Sequence, residues 1–265
     1  MKKKLPLVSI IVNCFNGEKF LSQSIKTIFD QTYTNWEIIF WDNKSSDKSR
    51  EIIKSFKDRR IKYFYSKKYN TLYKSRNLAI KKTKGDDICF LDTDDLWNKK
   101  KIKDQLKIME KKNCDILYSN YLIKNDNQKI VKKRITSLVD KNYSGDTQKL
   151  LDDYSLGILT VMIKKEAFKK NFFNSYYQII GDFDFFIKMS LKFKFLYSSK
   201  LHATYRIHQD NLSLKRIDLY IDELKYWIKN NRKKFKNFSF FQIKLNLLKL
   251  IIKKTLYKYN VIKYI

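Results

Sequence analysis

Four short, nearly continuous apolar runs, at residues 7–14, 36–42, 61–65 and 88–91, alternate with segments whose apolar residues recur at helical spacing. A strand that is apolar at almost every position has both faces covered, as in a parallel sheet with helices above and below it. The intervening stripes are Phe20, Leu21, Ile25, Ile28 and Phe29, then Ile52, Ile53 and Phe56, then Leu72, Ala79 and Ile80. This β-α-β-α order predicts an α/β chain with a Rossmann-like, mixed but mostly parallel sheet flanked by helices. Right-handed crossovers then put the carboxyl ends of these strands along one edge.

Further along, β-like runs at 115–123 and 201–207 bracket a helical pattern at 182–194, and the Lys-rich stretch 124–140 reads as a hairpin and loop. Residues 217–265 show no clear strand or turn signal and read as helices. With no Pro/Gly-rich linker, this helical extension is expected to pack on the domain or on a partner. Its last segment carries a stripe of Phe241, Leu245, Leu248, Ile252, Leu256 and Tyr259 at spacings of three and four, with Lys249 at the stripe's edge. Such a basic amphipathic helix either docks its stripe on the domain or lies in an anionic membrane interface.

The chain has 265 residues, 43% of them hydrophobic, enough for one large domain or two small ones. Lys and Arg number 57 against 27 Asp and Glu, a net charge of +30 that favours anionic partners. A coding bias toward Lys, Ile, Asn and Tyr would produce the same excess. Cys14, Cys89 and Cys114 lie too far apart for a metal or disulfide framework, so a reducing, cytoplasmic setting fits. Met1, Lys2, Lys3 and Lys4 before an apolar run imitate a signal peptide, but Pro6 and Asn13 interrupt the run and no small-x-small cleavage site follows. No apolar run approaches the ~20 residues that cross a bilayer.

The strongest chemical signal is Asp92-Thr93-Asp94-Asp95 directly after a buried strand. In open α/β sheets ligands bind beyond the carboxyl ends of strands. One Asp would cap the following helix, whereas three clustered carboxylates call for a compensating cation, and a divalent ion bridging them to phosphate oxygens supplies it. Asp42 ends the second strand on the same edge, placed either to accept from a nucleotide or to close an Asx turn. Arg76, in Ser75-Arg76-Asn77, matches a diphosphate or is a plain surface residue. Asp182, in Gly181-Asp182-Phe183-Asp184, opens a helix, where a carboxylate is held as the anion that a general base requires or simply caps. His208, in Tyr205-Arg206-Ile207-His208, suits a metal or a phosphate.

Together these strings resemble family 2 glycosyltransferases of the GT-A fold. The order runs from Val8-Ser9-Ile10-Ile11-Val12-Asn13-Cys14-Phe15-Asn16-Gly17-Glu18 through Gln31-Thr32-Tyr33, Trp36-Glu37-Ile38-Ile39, Asp42, Ser75-Arg76-Asn77 and Leu91-Asp92-Thr93-Asp94-Asp95-Leu96-Trp97 to Gly181-Asp182 and Tyr205-Arg206-Ile207-His208. The resemblance implies a glycosyltransferase domain over 1–213, its nucleotide-binding half at about 1–95 and its acceptor half at about 96–213, followed by a basic helical tail at 214–265. It implies Asn13, Asp42, Arg76, Asp92 and Asp94 as donor-nucleotide residues. For Mn²⁺ or Mg²⁺ it implies Asp94, Asp95 and His208, without deciding which acid ligates directly. It implies Asp182 as catalytic base, with Asp184 as the alternative.

The implied reaction is inverting transfer of a hexosyl or N-acetylhexosaminyl group from a nucleotide-diphosphate sugar, UDP-linked, to a glycan or lipid-linked glycan, as in polysaccharide or lipopolysaccharide synthesis. That would place the chain in the cytoplasm, peripheral to the inner face of the membrane. Three departures stand out. Gly181 replaces a common Glu, Asn43-Lys44 replace small residues after Asp42, and Lys188 stands where Arg is frequent. The rival readings are a nucleotide-sugar-binding protein without catalysis and a basic nucleic-acid-binding protein, whose phosphates the acidic sites would repel.

Overall fold

The structure, a computed structural model, describes residues 5–125, 129–135 and 147–258. Strands β1 (Val8–Cys14), β2 (Trp36–Asp42), β3 (Ile61–Tyr65) and β4 (Asp87–Phe90) are joined by helices α1 (Glu18–Phe29), α2 (Ser49–Ser55) and α3 (Leu72–Ile80). All four strands run parallel, in the order β3-β2-β1-β4. Every residue of β1 and β2 is buried. Side-chain alternation explains why: Val8, Ile10, Val12 and Cys14 join the core beneath α1 and α2, while Ile11 joins Ile39, Trp41 and Ala79 beneath α3. The Cys14 and Cys89 side chains are buried among apolar neighbours, and Cys14, Cys89 and Cys114 are all free thiols.

Beyond β4 come β5 (Leu96–Trp97), α4 (Lys101–Lys112), β6 (Ile116–Asn125), β7 (Ile130–Arg134), α5 (Thr147–Asp152), β8 (Met162–Lys164), α6 (Gly181–Ser190) and β9 (Phe195–Ile207). The sheet extends as β4-β8-β6-β9-β5, with β7 on β6. β8 is antiparallel to β4 and β6, β9 is parallel to β6, and β5 is antiparallel to β9. β6 and β7 form the hairpin expected in the Lys-rich stretch, whose residues 126–128 and 136–140 lie outside the described residues.

The extension is helical: α7 (Leu212–Lys215), α8 (Ile217–Asn231) and α9 (Phe241–Lys258). Leu224, Trp227 and Ile228 of α8 and Ile243 of α9 join the core on the α3 and α6 side of the sheet. The face that docks α9 is Ile243, with Leu247 and Leu250 partly buried against the same core. Phe241, Leu248 and Ile252 of the expected stripe are exposed instead. Tyr259 lies outside the described residues. Among the described residues no helix is long and apolar enough to cross a membrane.

Candidate active site

Parallel pairing sets the site's edge. Cys14 pairs with Asp42 and Asp42 with Tyr65, while Leu91 donates its N–H to Ile11 as β4 ends. The residues that follow β1, β2 and β4 therefore emerge side by side. The chain after Leu91 turns at once, with the Asp95 N–H donating to the Asp92 carbonyl at 3.1 Å. Ser24 Oγ of α1 lies 3.0 and 2.8 Å from the Asp92 and Asp95 carbonyls and holds that turn against the helix. The two residues of β5 then pair with β9, Leu96 with Thr204 and Trp97 with Ala203. This short pairing brings Asp94 and Asp95 to Arg206 and His208.

The acids of the turn have separate surroundings. Asp92 accepts from one Arg76 guanidinium nitrogen at 2.8 and 2.9 Å. Asp94 Oδ2 lies 2.9 Å from His208 Nε2 and 3.4 Å from Asn211 Nδ2. Asp95 is buried, and its Oδ1 accepts the Arg206 N–H at 3.1 Å. Burial, with Asp94 and Asp92 beside it, pushes the Asp95 carboxyl well above the usual carboxylate range. His208 Nδ1 accepts from the Asp210 N–H at 3.2 Å, and Nε2 faces Asp94 and, at 3.3 Å, the Asn211 side-chain amide. A Mn²⁺ or Mg²⁺ ion held between Asp94 Oδ2 and His208 Nε2 would require the ring proton on Nδ1, and so the Asp210 N–H contact would have to open. Among the described residues no group of three His, Cys, Asp or Glu side chains is arranged for a metal. The structure thus joins Asp94 to His208 and gives Asp95 to the β9 backbone.

Asp42 is 1% exposed, with Oδ1 accepting the Ser45 N–H and Oδ2 the Tyr63 hydroxyl. It closes an Asx turn while lying at the sheet edge. Asn43, in the position often held by a small residue, is buried and exchanges two hydrogen bonds with the Asn70 backbone at 2.8 and 3.0 Å. Its larger side chain ties the loop after β2 to the loop before α3. Lys44 takes a left-handed φ of 69°, the conformation for which Gly is the easy residue.

On the α3 face of β1 and β2, Asn13 Nδ2 and Oδ1, Trp41 Nε1, Ser75 Oγ and Arg76 Nε are buried without a protein hydrogen-bond partner. Asn13 and Trp41 are register partners, so these groups belong to one region. Buried polar atoms are rarely left unpaired, so their concentration at the sheet's carboxyl edge points to a ligand that supplies donors and acceptors.

Tyr73 and Arg76 sit three residues apart on one face of α3. As Arg76 reaches Asp92, the Tyr73 hydroxyl lies 2.7 Å from the Ile179 carbonyl and 3.1 Å from Asp182 Oδ1. The Phe183 N–H also donates to Asp182 Oδ1, at 2.8 Å. Burial pushes the Asp182 carboxyl up, while Arg76, the Phe183 N–H and Tyr73 oppose the rise. Burial and Asp182 hold the Tyr73 phenol well above its ordinary value, so it remains a donor. Gly181 is where a side chain would collide: a Cβ there would lie 2.4 Å from the Tyr73 ring.

A second grip comes from the extension. Glu223 of α8 is buried and accepts the N–H groups of Gln178, Ile179 and Ile180 at 2.7, 3.0 and 3.1 Å. Asp184 accepts from Trp227 Nε1 at 2.8 Å and pairs with Lys188 at 2.5 Å. Asp184 is thereby spent on fastening α6 to α8, and Lys188 on neutralising it one turn further along the same helix. Sequence reasoning missed Glu223, Trp227 and Tyr73. Glu223 acts on backbone N–H groups, and Trp227 on an acid far away in the chain, and neither leaves a pattern in a sequence. For Tyr73 the available signal was the unusual Gly181 opposite it.

Comparison with known proteins gives the family and the fold. Residues 9–188 match the model of the family described as glycosyl transferase family 2. The chain is 36% identical over 159 residues to the Escherichia coli UDP-Glc:alpha-D-GlcNAc-diphosphoundecaprenol beta-1,3-glucosyltransferase WfgD, covering 60% of each protein. Among solved structures, S. aureus TarS 1-349 in complex with UDP-GlcNAc superposes with a TM-score of 0.70 at 18% identity, over 83% of this chain and 64% of that one. The mannosyltransferase PcManGT of Pyrobaculum calidifontis, in complex with GDP-Man and Mn2+, gives 0.64 at 13% identity, over 87% and 65%. At these identities the structural likeness establishes the fold alone, and the chain spans less than two thirds of each of these three relatives.

Proposed function

The chain belongs to glycosyltransferase family 2 and has its GT-A fold, and from that premise we propose that it moves a hexosyl or N-acetylhexosaminyl group from a UDP-sugar to a hydroxyl of a lipid-linked glycan. The observation that carries the reading is the single face of α3 on which Tyr73 meets Asp182 and Arg76 meets Asp92. Through it one half-buried carboxylate and one acidic turn are held as a unit, as base and leaving-group site must be.

In the proposed reaction Asp182 takes the proton of the attacking hydroxyl on Oδ2, while Tyr73 and the Phe183 amide hold Oδ1 in place. The hydroxyl oxygen bonds to the anomeric carbon as the bond to the diphosphate breaks on the opposite face, and this single displacement inverts the centre. Asp94 and His208 would hold Mn²⁺ or Mg²⁺, and such a cation neutralises charge on the departing diphosphate. Asp95 serves the β9 backbone in this scheme. Asn13, Asp42 and the unpaired groups of Trp41, Ser75 and Arg76 form the pocket for the nucleoside end, with Asp92 at its rim. Residues 1–213 are the catalytic unit, donor half to about 95 and acceptor half beyond, followed by the basic tail at 214–265, whose helices α8 and α9 buttress it. The acceptor class follows WfgD, whose name specifies a diphosphoundecaprenol-linked sugar. An acceptor of that class would be met at the inner face of the cell membrane, which is the location this reading assigns.

A thermal-shift titration with UDP, GDP, CDP and dTDP, each with and without Mn²⁺, tests the donor site on wild type and Asp94→Asn. Ligand at about 100 times its dissociation constant stabilises by ~2.7 kcal/mol, or roughly 5–10 °C for a domain of this size. A Mn²⁺-dependent shift with UDP that Asp94→Asn abolishes is the expected result. Absence of any shift with all four nucleotides would remove the transferase reading.

A further inference from the structure

Helix α9 is apolar on two opposite sides. At 100° per residue, Ile243, Leu247 and Leu250 cluster on one side, and these are the residues that pack on the core. Phe241, Leu248 and Ile252 fall on the side diametrically opposite, and they are 72%, 51% and 50% exposed. Leu245 and Leu256 continue that second stripe. The docked face therefore accounts for the position of the helix and leaves the second stripe without a partner among the described residues.

Charge identifies what covers it. From residue 224 to the end the sequence contains twelve Lys and Arg and no Asp or Glu. On the helix, Lys244 and Lys249 are exposed and flank the apolar stripe on its two sides. Beside Lys244, the groove between α8 and α9 has Ile228 and Leu247 on its floor and Lys225, Lys229 and Arg232 on its walls. Farther along, the same two helices present Asp218 and Asp222, and there Asp218 is already paired with Lys254. An apolar strip with cations on both sides is the chemistry of an anionic bilayer surface, where apolar side chains enter the acyl boundary and lysines meet lipid phosphates.

We propose that the outer face of α9, centred on Phe241, Leu248 and Ile252 and flanked by Lys244 and Lys249, docks the enzyme onto an anionic lipid bilayer. The inference deepens the lipid-linked acceptor reading by naming the surface that meets the membrane. It rests on α9 and not on the donor site, so the two fail separately.

The test is co-sedimentation of the full chain with phosphatidylglycerol–phosphatidylcholine vesicles against phosphatidylcholine vesicles, at low and high salt. Wild type should pellet with the anionic vesicles at low salt and be released by salt. Leu248→Glu/Ile252→Glu should lower the bound fraction at least about tenfold, because carboxylates then face the lipid phosphates. Lys244→Gln/Lys249→Gln should weaken binding in the same direction. Unchanged melting temperature and UDP-induced thermal shift in the Glu variant establish that fold and donor site are intact. Equal pelleting of wild type and the Glu variant overturns the proposal, as does failure of wild type to bind anionic vesicles. Sedimentation velocity covers the other occupant: a wild-type dimer dissolved by the Glu substitutions would assign the stripe to a second copy of the chain and overturn the membrane reading.

Discussion

Gly181→Ala is the smallest change that should damage the base without touching it. A Cβ at this position would lie 2.4, 2.5 and 2.6 Å from Cδ2, Cε2 and Cγ of Tyr73. Carbon atoms prefer about 3.5–4.0 Å, so ring and helix start must separate by roughly 1 Å. The ring cannot swing aside at little cost, because Tyr73 is 2% exposed and its hydroxyl is tied to Ile179 and Asp182. Overpacking of this kind destabilises by ~1–3 kcal/mol, or roughly 2–10 °C of melting temperature in a chain this long. The displaced atoms include the carboxylate proposed to take the acceptor's proton, and a 1 Å misplacement lowers turnover by about 10²-fold. Steady-state transfer with a UDP-sugar should show kcat falling while the donor KM changes little, since the donor pocket lies on the other side of Arg76. Tyr73→Phe, which keeps the ring and removes the hydroxyl, should lower kcat with a smaller loss of stability. A Gly181→Ala enzyme with wild-type kcat and melting temperature would refute the argument that Tyr73 and Gly181 form a fitted pair holding Asp182.

Glu223→Gln weakens three hydrogen bonds to backbone N–H groups by removing the charge that strengthens them. It should destabilise by ~2 kcal/mol and lower kcat, read by thermal melts and steady-state rates. The pH dependence of kcat/KM should fall on the acid side above the ordinary carboxylate range, because burial raises Asp182 and protonated Asp182 cannot act as base. An acid limb near pH 4 or below would contradict that assignment. Asp87 of β4 is pushed up to about 6 by burial and by Asp86. Its folded value exceeds its unfolded one, so its contribution is favourable at pH below the usual carboxylate range and is lost as pH rises through about 6. Asp87→Asn should therefore stabilise at pH 8 by up to ~3 kcal/mol and not at pH 4, measured by urea denaturation at both values.

Strands at 36–42 and 61–65 were legible to the residue, and β1 and β4 to within one, because two-sided burial forces continuous apolar runs. β8, three residues long, and β5, two residues long, were not, since they are defined by antiparallel partners far away in the chain and have no periodicity of their own. β9 begins at Phe195, ahead of the expected run at 201–207, where it passes the irregular register opposite Ser119 and Asn120. In α9 the spacing rule found a real stripe and did not tell which of two apolar sides would face the core. At the site, Asp92, Asp94 and Asp95 were readable because they are contiguous at a strand end. Their division of labour was not, because it depends on β5 folding back on β9 and delivering His208 to one acid and the Arg206 amide to another.

Glu223 binds two parts of the chain into one cooperative unit. The amide protons of Gln178, Ile179 and Ile180 are bonded to a carboxylate on α8. Exchange of those protons with solvent requires α8 to lift, so they should exchange with the opening free energy of that helix and not with that of a surface loop. Whatever loosens the extension is transmitted in the same event to the turn that carries Asp182. The segment following the matched family region thus acts as a clamp on the reaction centre, and trimming the chain after β9 would leave a sheet with its base adrift.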